Sequence, residues 1–220
     1  MMPEMDGIEM TRLLKEDIRT CHIPIILLTA KTTQSDQEEG YDSGADSYLT
    51  KPFCSRLLQS RIRNLLSSRR RLAEFVLQRE VRTSMLQTSG NDEEVTVDHE
   101  QTISPQTEPM LSPLDKKFME KLNRIIDENL STEDIDMGFM TDKMAMSHST
   151  FYRKVKALTG VSANEYIRKV KLTQAMAMLR SGEHNASETA MLTGFNSLGY
   201  FRRCFKKEFG ILPSEVLQKK

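Results

Sequence analysis

Apolar residues recur along this chain in two different rhythms. Residues 23–30 (IPIILLTA) form a nearly unbroken apolar run of strand length, the pattern of a parallel strand buried on both faces. Before it, residues 6–18 place Met10, Leu13, Leu14 and Ile18 on one helical face. After it, a polar helix is predicted near residues 35–43, stopped by Gly44. Residues 47–53 (SYLTKPF) predict a second strand, and from Ser55 onward Leu58, Ile62, Leu65 and Leu66 return to helical spacing. Helix–strand–helix–strand–helix is an α/β order. Two strands, however, are too few to bury a parallel sheet, so residues 1–66 read as part of a larger unit.

From residue 112 onward only the helical rhythm remains. Ser112, Pro113 and Asp115 make a helix start, followed by Leu114, Phe118, Leu122, Ile125, Ile126 and Leu130 at spacings of three and four. A short helix is predicted over 137–144, then one capped by Ser147 with Phe151, Val155 and Leu158 inward and Gly160 as its stop. Ser162 and Glu165 open a long helix to about residue 181. Asn185 and Glu188 open a short one that ends at Gly194. Asn196 is the predicted cap of the next, with Phe201, Phe205 and Phe209 inward and Gly210 as stop; Pro213 starts a last short helix. The motif is a short helix, a tight turn and a second helix, used twice and joined by a helix of about 20 residues, roughly 30 Å long. One turn of B-DNA is roughly 34 Å, so two helices held at its ends can reach successive major grooves on one face.

Charge strengthens that reading. The 220 residues sum to zero, with 31 Lys and Arg against 31 Asp and Glu. The sum hides a pattern: residues 1–76 hold 11 of each sign, 77–112 hold 2 basic against 7 acidic, and 145–220 hold 13 basic against 5 acidic, a net +8. Such a block is either a footprint for phosphates or a helical surface that simply solvates its Lys and Arg. Residues 83–113 are rich in Ser, Thr, Gln, Asp and Glu with three prolines and no sustained period, so a flexible acidic linker is expected over 81–112. Three scattered cysteines without a C-x-x-C pair exclude a disulfide framework or zinc ribbon and fit a reducing compartment. No apolar run reaches the ~18 residues that a membrane span needs, so no membrane contact and a cytoplasmic location are expected for this chain.

Residues 2–7 (MPEMDG), the strand end at 28–30 (LTA), residues 43–46 (SGAD) and 51–53 (KPF) resemble the second half of a two-component receiver domain. The likeness covers about 1–66, with a last helix reaching to about 80. It implies a flavodoxin-like, doubly wound α/β remnant with two parallel strands. In the family, the phosphoryl-accepting Asp and the acidic pair that binds Mg²⁺ come earlier in the domain. In this chain those places fall before Met1, so no phosphoacceptor, no Mg²⁺ and no other cofactor or metal is expected. The resemblance implies a switch half: Thr29 bonding the phosphoryl group, Lys51 pairing with it, Pro52 after a cis peptide that aims Lys51, and Tyr48 as the aromatic that swings inward. Taken one at a time, a Lys-Pro turn or a lone strand Tyr has an ordinary structural explanation.

Outward positions around the two second helices carry chemistry suited to nucleic acid. Around the first lie His148, Ser149, Tyr152, Arg153 and Lys156; around the second, Leu198, Gly199, Tyr200, Arg202, Arg203, Lys206 and Lys207. Arg reads guanine bidentately, Ser and Tyr bond phosphates or base edges, and Lys neutralises phosphate. For His148 a plain surface histidine is the simpler reading. Residues 147–160 (SHSTFYRKVKALTG), 194–210 (GFNSLGYFRRCFKKEFG) and the Pro213 helix resemble the AraC-type DNA-binding domain, a likeness that spans 113–220. By that resemblance Ser149, Tyr152, Arg153, Leu198, Gly199 and Arg203 face bases. The chain departs from the family's pattern at Met140 and Thr141, where Leu-Ala is usual, at Ala145, where Gly commonly makes the turn, and at Gly199, where a polar side chain is common.

The two resemblances together imply a sequence-specific transcription regulator at the output end of a phosphorelay, with double-stranded DNA as partner. They also imply a homodimer through the receiver remnant, and upstream sensor and kinase modules, membrane-anchored or not, in an intact parent. The alternative is an inactive piece of a hybrid sensor histidine kinase. In either case this chain is expected not to be an enzyme.

Overall fold

The computed structural model describes residues 5–30, 33–86, 111–131, 135 and 137–218. Its elements run α1 (Gly7–Glu16), β1 (Ile26–Thr29), α2 (Gln34–Asp42), β2 (Ser47–Thr50) and α3 (Ser55–Leu86), then α4 (Pro113–Glu128), α5 (Met137–Met144), α6 (His148–Thr159), α7 (Ala163–Ser181), α8 (Ala186–Leu192), α9 (Leu198–Phe209) and α10 (Pro213–Gln218). An α/β piece with two parallel strands is thus followed by an all-helical domain.

The strands pair in parallel, Ile26 beside Ser47 through Thr29 beside Thr50. Asp46 ties the piece together. Its carboxylate accepts the Ile25 amide at 2.8 Å, pairs with Lys15 of α1 at 2.7 Å and with Arg69 of α3 at 3.4 Å. Gly40 leaves room for the Tyr48 ring, because a Cβ there would come within 2.7 Å of it.

Three expectations for this piece need correction. The strand over 23–30 shortens to four residues, and Leu28 is 41% exposed, so it is not buried on both faces. Among the helical stripes, Met10, Leu13, Ile62 and Leu66 are exposed, while the small Thr11 is buried in α1. A two-stranded sheet offers too little surface to cover two amphipathic helices. The second strand likewise stops at Thr50 rather than residue 53, since Pro52 has no amide hydrogen to continue the ladder; the Lys51–Pro52 peptide is cis.

The last helix runs past residue 80, through the first six residues assigned by sequence to the linker; residues 87–110 of that linker lie outside the described residues. No Gly or Pro interrupts 55–86, so nothing local stops it. Its two halves serve different bodies. Leu72 and Val76 are buried among Phe118, Leu122, Phe151, Val155 and Tyr166 of the helical domain.

That domain has two cores on one spine. The first gathers α3, α4, α5 and α6 around Ala163, Tyr166, Ile167 and Val170 of α7. The second gathers Phe201 and Phe205 around Leu172, Ala175, Met176 and Leu179 of the same helix. The α7 helix is therefore apolar on most of its circumference, as a helix shared by two cores must be. Ser112, Ser147, Ser162 and Asn185 cap their helices as expected, Asn185 with a full capping box.

Candidate nucleic-acid interface

Each recognition-helix candidate is set by a cap at its start and a left-handed glycine at its end. The Ser147 hydroxyl accepts the Thr150 amide at the start of α6, and Gly160 (φ 76°) ends it. In α9 the cap is Ser197, which accepts from the Tyr200 amide, not the predicted Asn196; Gly210 (φ 76°) is the stop. Either residue type can cap, and the register is decided by which side chain meets the N3 amide.

The turns before these helices are built alike. The Met146 amide donates to Thr141, and the Phe195 amide donates to Ala190, each closing over a left-handed residue. In the second unit that residue is Gly194 (φ 66°), in the first Ala145 (φ 53°). The Ala145 departure therefore stores strain, since a Cβ in the left-handed region costs roughly 1–2 kcal/mol.

On α6, His148, Ser149, Arg153 and Lys156 are exposed and Tyr152 is half-buried. The His148 ring stacks on Tyr152 at 4.7 Å, and the Arg153 side chain donates to the Ser149 carbonyl at 3.3 Å. On α9, Gly199, Tyr200, Arg202, Arg203, Lys206 and Lys207 are exposed. Leu198 is only partly so, because it packs on the second core. A Cβ at Gly199 would meet nothing nearer than the Ser197 hydroxyl at 3.7 Å, so the missing side chain leaves open space where a contact could be made. Phe201 and Phe205 are fully buried and pack in series with Phe209, with tilted rings, and so belong to the core. The two basic rows belong to helices that pack on successive stretches of α7, α6 in the core of Ala163, Tyr166, Ile167 and Val170 and α9 in that of Leu172, Ala175, Met176 and Leu179; α7 itself, with 19 residues, is about 28 Å long.

In the α/β piece, Thr29 and Lys51 come together at the carboxyl ends of adjacent strands, where open α/β sheets hold ligands, and the Lys51 amide donates to the Thr29 carbonyl at 2.6 Å. Tyr48 is buried, with its ring 6.4 Å from Tyr41. Among the described residues no three His, Cys, Asp or Glu side chains converge in a way that could hold a metal ion.

One group escaped the sequence reading. Lys154 of α6 is completely buried, its ammonium 2.6 Å from the Asp115 carboxylate, 2.6 Å from the Ile18 carbonyl and 3.3 Å from the Cys21 thiol. It also lies 5.0 Å from the centre of the Phe118 ring. Burial alone would raise the Asp115 carboxyl, but the hydrogen bond and charge of Lys154 outweigh it and hold the group below the ordinary carboxylate range. The signal was available: Lys154 stands three residues after Phe151 and four before Leu158, on the inward side of the helix. Beside it, His22 is buried with Nδ1 lacking a hydrogen-bond partner among the described residues. Burial, together with the Lys154 charge, lowers its imidazole to about 4.

Two family models match separate parts of the chain. The response regulator receiver domain model matches residues 1–63, and the helix-turn-helix domain model matches residues 140–219. "Histidine kinase P4" of Formosa agariphila is 33% identical over 215 residues, covering 97% of this chain and 14% of that protein. The "HTH-type transcriptional activator RhaS" of Mannheimia succiniciproducens is 36% identical over 89 residues, 40% of this chain and 33% of that protein. The "Phosphate regulon transcriptional regulatory protein PhoB" of Pseudomonas aeruginosa is 47% identical over 66 residues, 30% of this chain and 29% of that protein. The chain spans a third or less of the length of each of these relatives. No described helix is long and apolar enough to cross a membrane.

Proposed function

We propose that this chain, which matches the response regulator receiver domain model over residues 1–63 and the helix-turn-helix domain model over residues 140–219, is a sequence-specific, DNA-binding transcription regulator of the AraC type, acting as the output part of a two-component phosphorelay. The observation that carries the reading is the pair of capped helices α6 and α9, each with an exposed basic row, packed on successive stretches of α7, a helix whose length of about 28 Å is comparable with one turn of DNA. Arg153 and Arg203 are the side chains with the reach and donor geometry to read guanine, while Lys156, Arg202, Lys206 and Lys207 are placed for phosphates. Thr29 and Lys51 are the receiver's phosphoryl-sensing pair and Tyr48 its packing reporter. DNA places the site of action in the cytoplasm. Pairing of two chains through the receiver segment would bring two such domains to adjacent sites.

Selection from a random duplex pool identifies the site. Arg153→Ala or Arg203→Ala then costs about 1–3 kcal/mol on it and relaxes the base preference. Affinity falls steeply with salt, because several phosphates exchange their counterions for Lys and Arg. Equal losses on selected and random duplexes would make both arginines phosphate contacts, and a flat salt response would remove DNA as the partner.

A second reading is favoured by the alignment of nearly the whole chain with a small part of a protein named as a histidine kinase. In it, this chain is the output end of a longer sensor kinase, and the kinase and sensor modules are its upstream partners. Incubating the chain with a small phosphodonor and Mg²⁺ separates phosphoacceptor chemistry from output. No aspartyl phosphate is expected on this chain.

A further inference from the structure

The α3 helix carries positive charge that the two recognition helices do not account for. Over Ser55–Leu86 it holds eight arginines, no lysine and two acids, a net +6 that lies outside the basic block of residues 145–220. Arg is the cation whose planar fork matches the oxygens of a phosphate, so its exclusive use here points to a particular kind of partner.

Packing occupies only one side of α3. Leu72 and Val76 are buried in the first core of the helical domain. Arg56, Arg63 and Arg70 recur every seven residues, and positions so spaced drift by only about 20° per step, so the three form one row. At roughly 100° of rotation per residue, that row stands a third of a turn or more from Leu72 and Val76, on the outward side. All three arginines are exposed, and the row is about 21 Å long. Arg61 and Arg71 are exposed too, but they point away from the row, and Arg69 is held by Asp46.

The outward side of α3 faces the same way as the row that α6 offers to DNA. Leu66 and Arg69 line one cleft with Thr150, Arg153 and Ala157, and Arg70 and Ala73 line the next with Lys156 and Gly160. The numbers rise together, so the two helices lie side by side and run in one direction. They touch closely at their far ends, where a Cβ on Gly160 would come within 3.7 Å of Ala73. Both bury their inward sides in the same core, Leu72 and Val76 from one, Phe151 and Val155 from the other. Their outward sides are therefore neighbours: Arg70 shares a cleft with Lys156, and Arg63 and Arg56 carry the positive row on toward and past the start of α6. Arg70 is 84% exposed, and its 3.3 Å contact with Glu74 is a surface pair within one helix, weak enough to be exchanged for a phosphate.

A helix with its side chains is roughly 10–12 Å across, and the major groove is roughly 12 Å wide. When α6 fills the groove, a helix packed against its flank stands over the sugar-phosphate backbone that borders it. We propose that Arg56, Arg63 and Arg70 make α3 a third DNA-contacting element, binding the phosphates along one edge of the groove entered by α6. Such contacts carry no base information, so α3 adds affinity and lengthens the footprint without changing the preferred sequence. The last helix of the receiver segment is thus shared between the two parts of the chain and belongs to the DNA-binding surface. The proposal rests on the DNA-binding reading above.

The test uses the whole chain, with a selected duplex and a random duplex of equal length. Arg63→Gln with Arg70→Gln empties two positions of the row while keeping good helix formers there. Arg61→Gln with Arg71→Gln removes the same charge from α3 away from the row and serves as control. With thermal transitions unchanged in both, the row variant binds either duplex about tenfold more weakly than the unsubstituted chain, and its log–log salt slope falls by about 2. The control stays close to the unsubstituted chain in both respects. Hydroxyl-radical footprinting gives an independent readout. The row variant loses protection at one outer end of the selected site, the end where Arg153→Ala relaxes the base preference, and keeps it elsewhere. Equal losses in row variant and control would reduce the effect to net charge and overturn the proposal, as would an unchanged salt slope or an unchanged footprint. Failure of the unsubstituted chain to bind either duplex at low salt would instead overturn the DNA-binding reading itself.

Discussion

Replacing Asp115 by Ala removes the one carboxylate that neutralises a fully buried ammonium. In the variant, Lys154 keeps the Ile18 carbonyl at 2.6 Å and the Cys21 thiol at 3.3 Å, but neither carries the opposing charge. Breaking a buried pair from one side costs roughly 3–5 kcal/mol, and the surviving carbonyl bond favours the lower end, about 3 kcal/mol. The position of Asp115 in the first turn of α4 adds a smaller loss of about 0.3–1 kcal/mol. The combined change Asp115→Leu with Lys154→Met removes both charges and keeps the volume, so it returns to within about 1–2 kcal/mol of the original stability. Urea unfolding at pH 7, followed by helical circular dichroism, measures Asp115→Ala beside the parent chain, Asp115→Leu, Lys154→Met and the double variant, which are the four corners of the cycle. The pH dependence adds a second signature. The folded Asp115 carboxyl titrates below its unfolded counterpart, whose value is about 3.9. Its stabilisation is therefore complete above about pH 4 and is lost as pH falls through the lower, folded value. The Asp115 variants lack that acid limb. A single-variant cost under about 1 kcal/mol, or a double variant as unstable as the sum of the singles, would refute the reasoning.

The other predictions concern separate parts of the chain. His22 has a folded pKa of about 4 against an ordinary 6.5, so the unfolded state binds more protons between those values and stability falls as pH is lowered across that window. His22→Leu flattens the slope, and an imidazole NMR titration midpoint near 6.5 would contradict the burial argument. Ala145→Gly relieves the left-handed Cβ and raises stability by about 1 kcal/mol, whereas Gly194→Ala at the equivalent turn lowers it by a similar amount. Thermal melts of the two variants should move in opposite directions. If both move the same way, the turns are not equivalent.

Much of the architecture was legible without coordinates, because it rests on local rules. Helix caps, glycine stops and inward stripes depend on neighbours within four positions, so the two helix-turn-helix units and the spine between them could be placed from spacing and residue type. The exposed basic rows followed from the same wheel. Where two cap residues stood side by side, as at Asn196 and Ser197, spacing could not decide between them, since both satisfy the same preference. The apolar stripes of the α/β piece were correctly recognised as helical. Whether they are covered depends on how much sheet lies beneath them, which no local pattern encodes.

The sequence by itself therefore determined the kind of each element and the chemistry exposed on α6 and α9. Only the tertiary structure decided where the end of α3 goes and what Lys154 does. The continuation of α3 past residue 80 needs only an absence of helix breakers, but its burial requires a partner surface more than 30 residues away in the chain. Lys154 looked like one more cation of a basic helix. Its burial depends on a carboxylate 39 residues before it and a carbonyl 136 residues before it, contacts made by packing of whole elements rather than by any period in the chain. Long-range burial of this kind is decided when cores are assembled, because the desolvation of a charge is offset only where distant acceptors converge on it.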